Sequence, residues 1–172
     1  MPVSPTPILP DVLKADLKVV FCGTAAGSRS AKEGAYYAHP RNRFWAMLYQ
    51  IGLTPRLLKP AEYRSVLDYG IGLTDLAKET FGADADLEGV DFDRDGLRQK
   101  ILDHAPRILA FNGKTAAKIF FESATIKYGQ QEEKVGDSLV YVLPSTSPAA
   151  VGSWDEGPWL LLGKMIREMG EG

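Results

Sequence analysis

Val19-Val20-Phe21-Cys22-Gly23-Thr24-Ala25-Ala26-Gly27-Ser28-Arg29-Ser30 opens as an apolar, β-branched run and closes as a string of Gly, Ala and Ser. A run of this kind predicts a buried strand over Leu17 to Cys22, stopped by Gly23 and followed by a small-residue loop. Bare peptide N–H groups at the carboxyl end of a parallel strand lie where open α/β sheets bind ligands. The chain then passes through Tyr36-Tyr37-Ala38-His39-Pro40-Arg41-Asn42-Arg43-Phe44-Trp45, which brings flat rings and cations close to that loop. Together the two stretches predict a pocket for a planar, polar ligand.

Outward from this point, strands alternate with helices. Phe44, Trp45, Met47, Leu48 and Ile51 recur at helical spacing, and Gly52 ends that helix. Pro60 starts a short helix through Leu67. Gly70 to Leu76 reads as a second strand, Arg107 to Phe111 as a third and Ser138 to Leu143 as a fourth. Asn112-Gly113-Lys114 turns the chain into a helix through Phe121, and Trp154 to Met169 is an amphipathic helix interrupted near Pro158. Before the first strand, Met1 to Pro10 is a proline-rich loose arm, and Asp11 to Ala15 a short helix. Lys78 to Arg94 is a polar, acidic loop carrying Asp84, Asp86, Glu88, Asp91 and Asp93, long enough to point to function. The fold class that follows is α/β: a three-layer α/β/α sandwich on a mostly parallel sheet of four to five strands. The 172 residues form a single domain, with no internal repeat and no linker.

Composition narrows the function classes. A net charge of −2 restricts any nucleic-acid site to a local patch, because a protein that grips only phosphates is ordinarily basic. One cysteine excludes an internal disulfide and fits a reducing compartment. Cys22 with two histidines, His39 and His104, leaves little for zinc, so no metal and no cofactor are implied. No apolar run reaches membrane-spanning length and the amino terminus lacks a signal pattern, so no membrane partner is expected and the location is cytoplasmic. A monomer is expected.

The Gly23 to Gly27 loop carries neither the G-x-G-x-x-G order of dinucleotide sites nor the Walker pattern. Tyr36 and Tyr37 can be plain core, or one of them can stack on a nucleobase. Pro144-Ser145-Thr146-Ser147-Pro148-Ala149-Ala150 follows another apolar strand and should reach the same sheet edge. It is either punctuation or a means of bringing hydroxyls and amides to phosphates, with Pro148-Ala149 as a small wedge.

Gly23-Thr24-Ala25-Ala26-Gly27, Tyr37-Ala38-His39-Pro40-x-Asn42-Arg43-Phe44-Trp45, Phe111-Asn112-Gly113-Lys114 and Leu143-Pro144-Ser145-Thr146-Ser147-Pro148 resemble the mismatch-specific uracil/thymine DNA glycosylases of the uracil-DNA glycosylase superfamily. The resemblance runs from about residue 17 to the carboxyl terminus. It implies that the loop from Gly23 to Gly27 lines a uracil pocket, that Tyr37 stacks on the everted base, and that the loop from Ser145 to Ala150 enters the DNA stack. The family's first motif commonly reads G-x-N-P-G, its Asn positioning the attacking water. Ala25 stands in that place here, and Ser145 replaces an Asn that some members carry in the second loop. Either the protein is a poor glycosylase, or another side chain does the polar work.

Breaking an N-glycosidic bond builds positive charge on the sugar and negative charge on the leaving base, and a nearby carboxylate can stabilise the cation and take a proton from water. The acidic loop is the reservoir, and Asp93 leads because it sits where loop becomes helix. Asp91 follows, then Asp75, with Asn112 as a polar alternative. Asp93 can equally be a plain helix cap, and Asn112 an amide that holds a turn. Gly23, Thr24, Ala25, Ala26, Tyr37 and Asn112 are assigned to the base. Ser30, Arg41, Lys114, Ser145, Thr146, Ser147, Pro148 and Ala149 are assigned to DNA. The alternative for Arg41, Arg43 and Lys114 is solvated charge, for Asn42 a cap, and for His39 a loop organiser. The expected function is hydrolytic excision of uracil from mispaired, G·U duplex DNA, initiating base excision repair, with single-stranded DNA as a further substrate. The alternatives are a damaged-base-binding protein on the same fold that has lost catalysis with Ala25, and an enzyme acting on free nucleotides.

Overall fold

The computed structural model describes residues 8–81 and 92–169. Five strands form one sheet: β1 (Val19–Ala26), β2 (Ile71–Phe81), β3 (Ile108–Asn112), β4 (Gly129–Gln130) and β5 (Leu139–Leu143), in the order β2-β1-β3-β5-β4. β1 runs parallel to β2 and β3, and β3 parallel to β5, while β4 alone is antiparallel. The helices are α1 (Ser28–Glu33), α2 (Phe44–Gln50), α3 (Arg94–His104), α4 (Lys114–Phe121) and α5 (Gly157–Glu168), with 3₁₀ turns over Pro60–Tyr69 and Pro148–Ser153.

The period-two alternation of the strands divides the apolar residues between two cores. On one face Val19, Phe21, Ile71, Leu73, Ile108, Ala110, Tyr141 and Leu143 meet Phe44, Met47 and Leu48 of α2 and Trp159, Leu162 and Ile166 of α5. On the other, Val20, Cys22, Leu109, Phe111, Val140 and Val142 meet Leu97 and Ile101 of α3 and Ala116, Ala117 and Phe120 of α4. A sheet covered on both faces has near-continuous apolar strands, and this is why β1 and β3 read so plainly. The expected three-layer α/β/α arrangement is the one observed.

Four local expectations need correction. The strand that Gly23 was expected to stop runs on to Ala26, because β2 continues to pair with it through Ala25↔Ala77. Lys78 therefore belongs to β2 and not to the acidic loop; Asp84, Asp86, Glu88 and Asp91 lie outside the described residues. Asp11 to Ala15 is not helical: Val12 forms an antiparallel bridge to Leu73, and Leu9, expected in a loose arm, is 1% exposed. Pro158 does not interrupt the last helix but starts it, since a proline in the first turn has no N–H to lose. Trp154 precedes that helix.

Chain direction then places the site. After β1 the chain passes to the α2 face; after β3, its neighbour in the sheet, it passes to the α4 face. Adjacent strands whose connections leave on opposite faces open a crevice at their carboxyl ends.

Candidate active site

A cleft of about 730 Å³ occupies that crevice, within the range of small-molecule sites. Gly23 to Gly27, Tyr37, Asp75, Asn112 and the segment Ser145 to Ala150 all border it, so the two small-residue turns do meet at one rim of the sheet. β1 pairs with β3 only as far as Cys22, whereas its pairing with β2 continues to Ala26. From Gly23 onward, the β1 edge that faces Asn112 thus turns unpaired peptide groups toward the cleft.

Two tryptophans hold the loops in place. Trp45 Nε1 donates to the Tyr36 carbonyl at 3.0 Å, and the fully buried Trp159 Nε1 donates to the Pro144 carbonyl at 2.9 Å. Asn112 ties the second loop to β3: its Nδ2 donates to Thr146 Oγ1 at 2.9 Å, and its Oδ1 accepts from the Thr146 amide at 3.1 Å. Buried bonds of this kind contribute about 1 kcal/mol each, and more is lost when one partner is left stranded. His39 Nδ1 accepts from the Arg41 amide, which is the loop-organising role expected of it, and Asn42 Oδ1 accepts from the Phe44 amide at the start of α2.

Tyr37 is the most constrained side chain here. Its φ of 50° lies in the left-handed region, unusual for an aromatic residue and found mostly where function or packing imposes it. One face of its ring stacks on Phe44, with centroids 4.0 Å apart and planes at 27°. Its hydroxyl is buried without a hydrogen-bond partner. Burial raises the proton affinity of this phenol and the Asn112 side chain beside it works against the rise, so the hydroxyl stays neutral at the cleft.

Asp75 is paired with Gly23 across β1 and β2, is 5% exposed and borders the cleft. A Cβ at position 23 would lie 2.8 Å from Asp75 Oδ1 and 3.4 Å from the Tyr37 hydroxyl. Only glycine leaves room for both groups above this point of β1. Burial pushes the Asp75 carboxyl up to about 6; Lys78, Lys100 and the Gly23 N–H act in the opposite direction, and Asp11 adds to the rise. Asp75 is thus ionised at neutral pH and far more basic than an exposed aspartate, as a general base needs to be.

Asp93 is placed differently. It is exposed, caps α3 by accepting from the Gly96 amide at 2.8 Å, and does not border the cleft. Of these two candidates Asp75 borders the cleft and Asp93 does not: the cap geometry that suggested a fixed orientation turns Asp93 toward its helix. Ser30 and Thr146 both border the cleft and both are buried: Thr146 is bound to Asn112, and the Ser30 Oγ accepts from the Ala38 amide. Arg41 is exposed and outside the cleft lining. Lys114 borders the cleft with its ammonium 4.2 Å from the centre of the Tyr128 ring. Ser145, Ser147 and Pro148 are half-buried at the mouth, and Ala149 is exposed there. Among the described residues no group of His, Cys, Asp and Glu is arranged to hold a metal ion, and no helix is long and apolar enough to cross a membrane.

Comparison with known proteins shows the family and the fold. Residues 10–163 match the family described as the uracil DNA glycosylase superfamily. The fold is similar to the solution NMR structure of a candidate uracil DNA glycosylase from Methanosarcina acetivorans. The two are 21% identical, with 94% of this chain and 96% of the other covered at a TM-score of 0.64.

Proposed function

Because the chain belongs to the uracil DNA glycosylase superfamily, we propose that it excises uracil from mispaired duplex DNA and so initiates base excision repair. Turning a base out of the helix costs a few kcal/mol and least at a mispair, which favours uracil opposite guanine. The everted ring enters the cleft and lies against Tyr37, whose far face is already backed by Phe44. Peptide groups of Thr24 to Ala26 and the Asn112 amide meet the uracil oxygens and stabilise the departing anion. Ala149, with Pro148 behind it, fills the gap in the stack, while Ser145, Ser147 and Lys114 contact the phosphates around it.

Asp75 supplies the charge. Its carboxylate stabilises the cationic sugar as the C1′–N1 bond breaks, and takes one proton from the water whose oxygen bonds to C1′. The uracil leaves with the bonding electron pair and is protonated from solvent. Ala25 contributes no side chain to this step, so the work elsewhere done by an Asn at that position passes to a carboxylate from the neighbouring strand.

The observation that carries this reading is that, among the described residues bordering the cleft, Asp75 is the only carboxylate. It also shares one point above Gly23 with an unpartnered hydroxyl. Single-turnover reactions on G·U, A·U and single-stranded uracil substrates, read by alkaline scission of the abasic product, test it. Excision fastest from G·U and lost in Asp75→Asn is expected. Tight binding of G·U duplex by the unaltered protein without any abasic product would instead make this a binding protein.

A further inference from the structure

Beside the cleft, around the outer edge of β2, lie three charges that the chemistry above does not touch, Lys78, Asp11 and Lys100. Lys78 Nζ is 3.0 Å from Asp11 Oδ1 and 4.0 Å from Asp75 Oδ2, and it donates to the Tyr36 hydroxyl at 2.9 Å. Lys100 of α3 holds the other Asp11 oxygen at 2.7 Å, and Thr74 donates to Oδ1 at 2.7 Å. Side-chain exposure is 14% for Lys78 and 5% for Asp75, so solvent screens this pair far less than a surface pair.

Such a contact is not what a regular strand provides. Residues three apart on a strand point to opposite faces. The β1–β2 register, however, jumps from Ala25↔Ala77 to Ala26↔Phe81, an irregularity immediately beside Lys78. Breaks of this sort re-aim side chains next to functional sites. The lysine then reaches around the edge to a carboxylate three residues earlier.

Resting on the reading of Asp75 as the base, we propose that Lys78 is a positioning residue that keeps Asp75 charged in its dry site, and that Asp11 sets how much of that positive charge Asp75 receives. A lysine wholly committed to Asp75 would leave a carboxylate too weakly basic to take a proton. No lysine at all would raise the fraction of it that is protonated near neutral pH. Held a full ångström closer to Asp11, Lys78 does neither. The other titratable groups facing Asp75 are Cys22 from β1 and Tyr36 and Tyr37 from the segment after α1, all held neutral by burial. Asp11, Lys78 and Lys100 remain as its charged neighbours. Asp11 itself stays ionised: burial alone would raise it, but Lys78, Lys100 and Thr74 together hold it below its usual value.

Two readouts test this on the intact chain. The first is the titration of the Asp75 side-chain carbon by ¹³C NMR, its signal identified by its loss in Asp75→Asn. The second is the pH profile of single-turnover excision from G·U DNA. Lys78→Met should raise the Asp75 midpoint by about one unit or more, which below both midpoints is roughly a tenfold loss of rate that recovers at alkaline pH. Lys78→Arg should stay near the unaltered protein, and Asp11→Asn should move the midpoint down. Opposite signs from two variants keep the test sharp even if one folds poorly. A midpoint unmoved in both variants, or a rate lowered equally at every pH, overturns the proposal. Should the carbon titrate as stated while the unaltered protein excises nothing, the coupling holds and the glycosylase reading fails.

Discussion

Asp75→Asn should make the protein inactive and, at neutral pH, more stable. The folded carboxyl titrates at about 6 against an ordinary value of 3.8, chiefly because it is buried. Two units at about 1.4 kcal/mol each put the penalty for ionising it in place at roughly 3 kcal/mol. The folded state binds this proton more tightly than the unfolded chain, so the group's contribution falls as pH rises from about 4 and is fully lost above about 6. The asparagine has no proton to lose, and Lys78 keeps Asp11 and Tyr36 as partners when the charge on residue 75 is gone. The difference between variant and unaltered protein should therefore grow from pH 4 to pH 7.5 by about 2–3 kcal/mol, or roughly 5–10 °C in Tm for a chain of this size. Urea denaturation at half-unit pH intervals measures it. A constant offset from the packing of the amide would displace the whole curve without mattering. A difference that stays flat or narrows with rising pH would refute the view that Asp75 is a desolvated, ionised carboxylate. Over the same range excision should fall by about 10²–10⁴, the usual worth of a general base.

Asp93→Ala removes an exposed cap and should cost about 0.5–2 kcal/mol in urea denaturation while leaving G·U excision within twofold; a larger kinetic loss would restore Asp93 to the mechanism. Asn112→Ala strands Thr146 and should lower stability by about 1–3 kcal/mol, together with a loss of excision as the second loop detaches from β3. Gly23→Ala drives a methyl to 2.8 Å from Asp75 Oδ1; displacing the base by a fraction of an ångström should slow single-turnover excision by about tenfold to a hundredfold, with binding of an abasic-site duplex much less affected.

The sheet was legible because four of its strands are long apolar runs; β4, two residues paired to the end of β5, has no run to read. Both small-residue turns were recognisable, and so was their meeting, since parallel strands send their carboxyl ends to one rim. The base was not. Asp93 carries a strong local signal, but a cap signal. Asp75 owes its burial, its raised proton affinity and its neighbours to the pairing of Gly23 with Asp75 across two strands 52 positions apart, a long-range register that no local pattern encodes. The available clue was a single aspartate inside the apolar run Ile71 to Leu76. The burial of the Ser30 and Thr146 hydroxyls was hidden for the same reason: from sequence, a serine or threonine in a loop does not show whether its oxygen turns outward or into the frame.

The bridge between Val12 and Leu73, continued by the Ile8 amide donating to the Lys78 carbonyl, lies along the outer side of β2, a border strand of eleven residues. A bare border of that length offers a template on which a second chain can add a strand. The segment from Ile8 to Val12 occupies part of that border. A version of the protein beginning after Val12 should lose Asp11 from the charge cluster and, at the same time, become prone to aggregate through its exposed sheet edge.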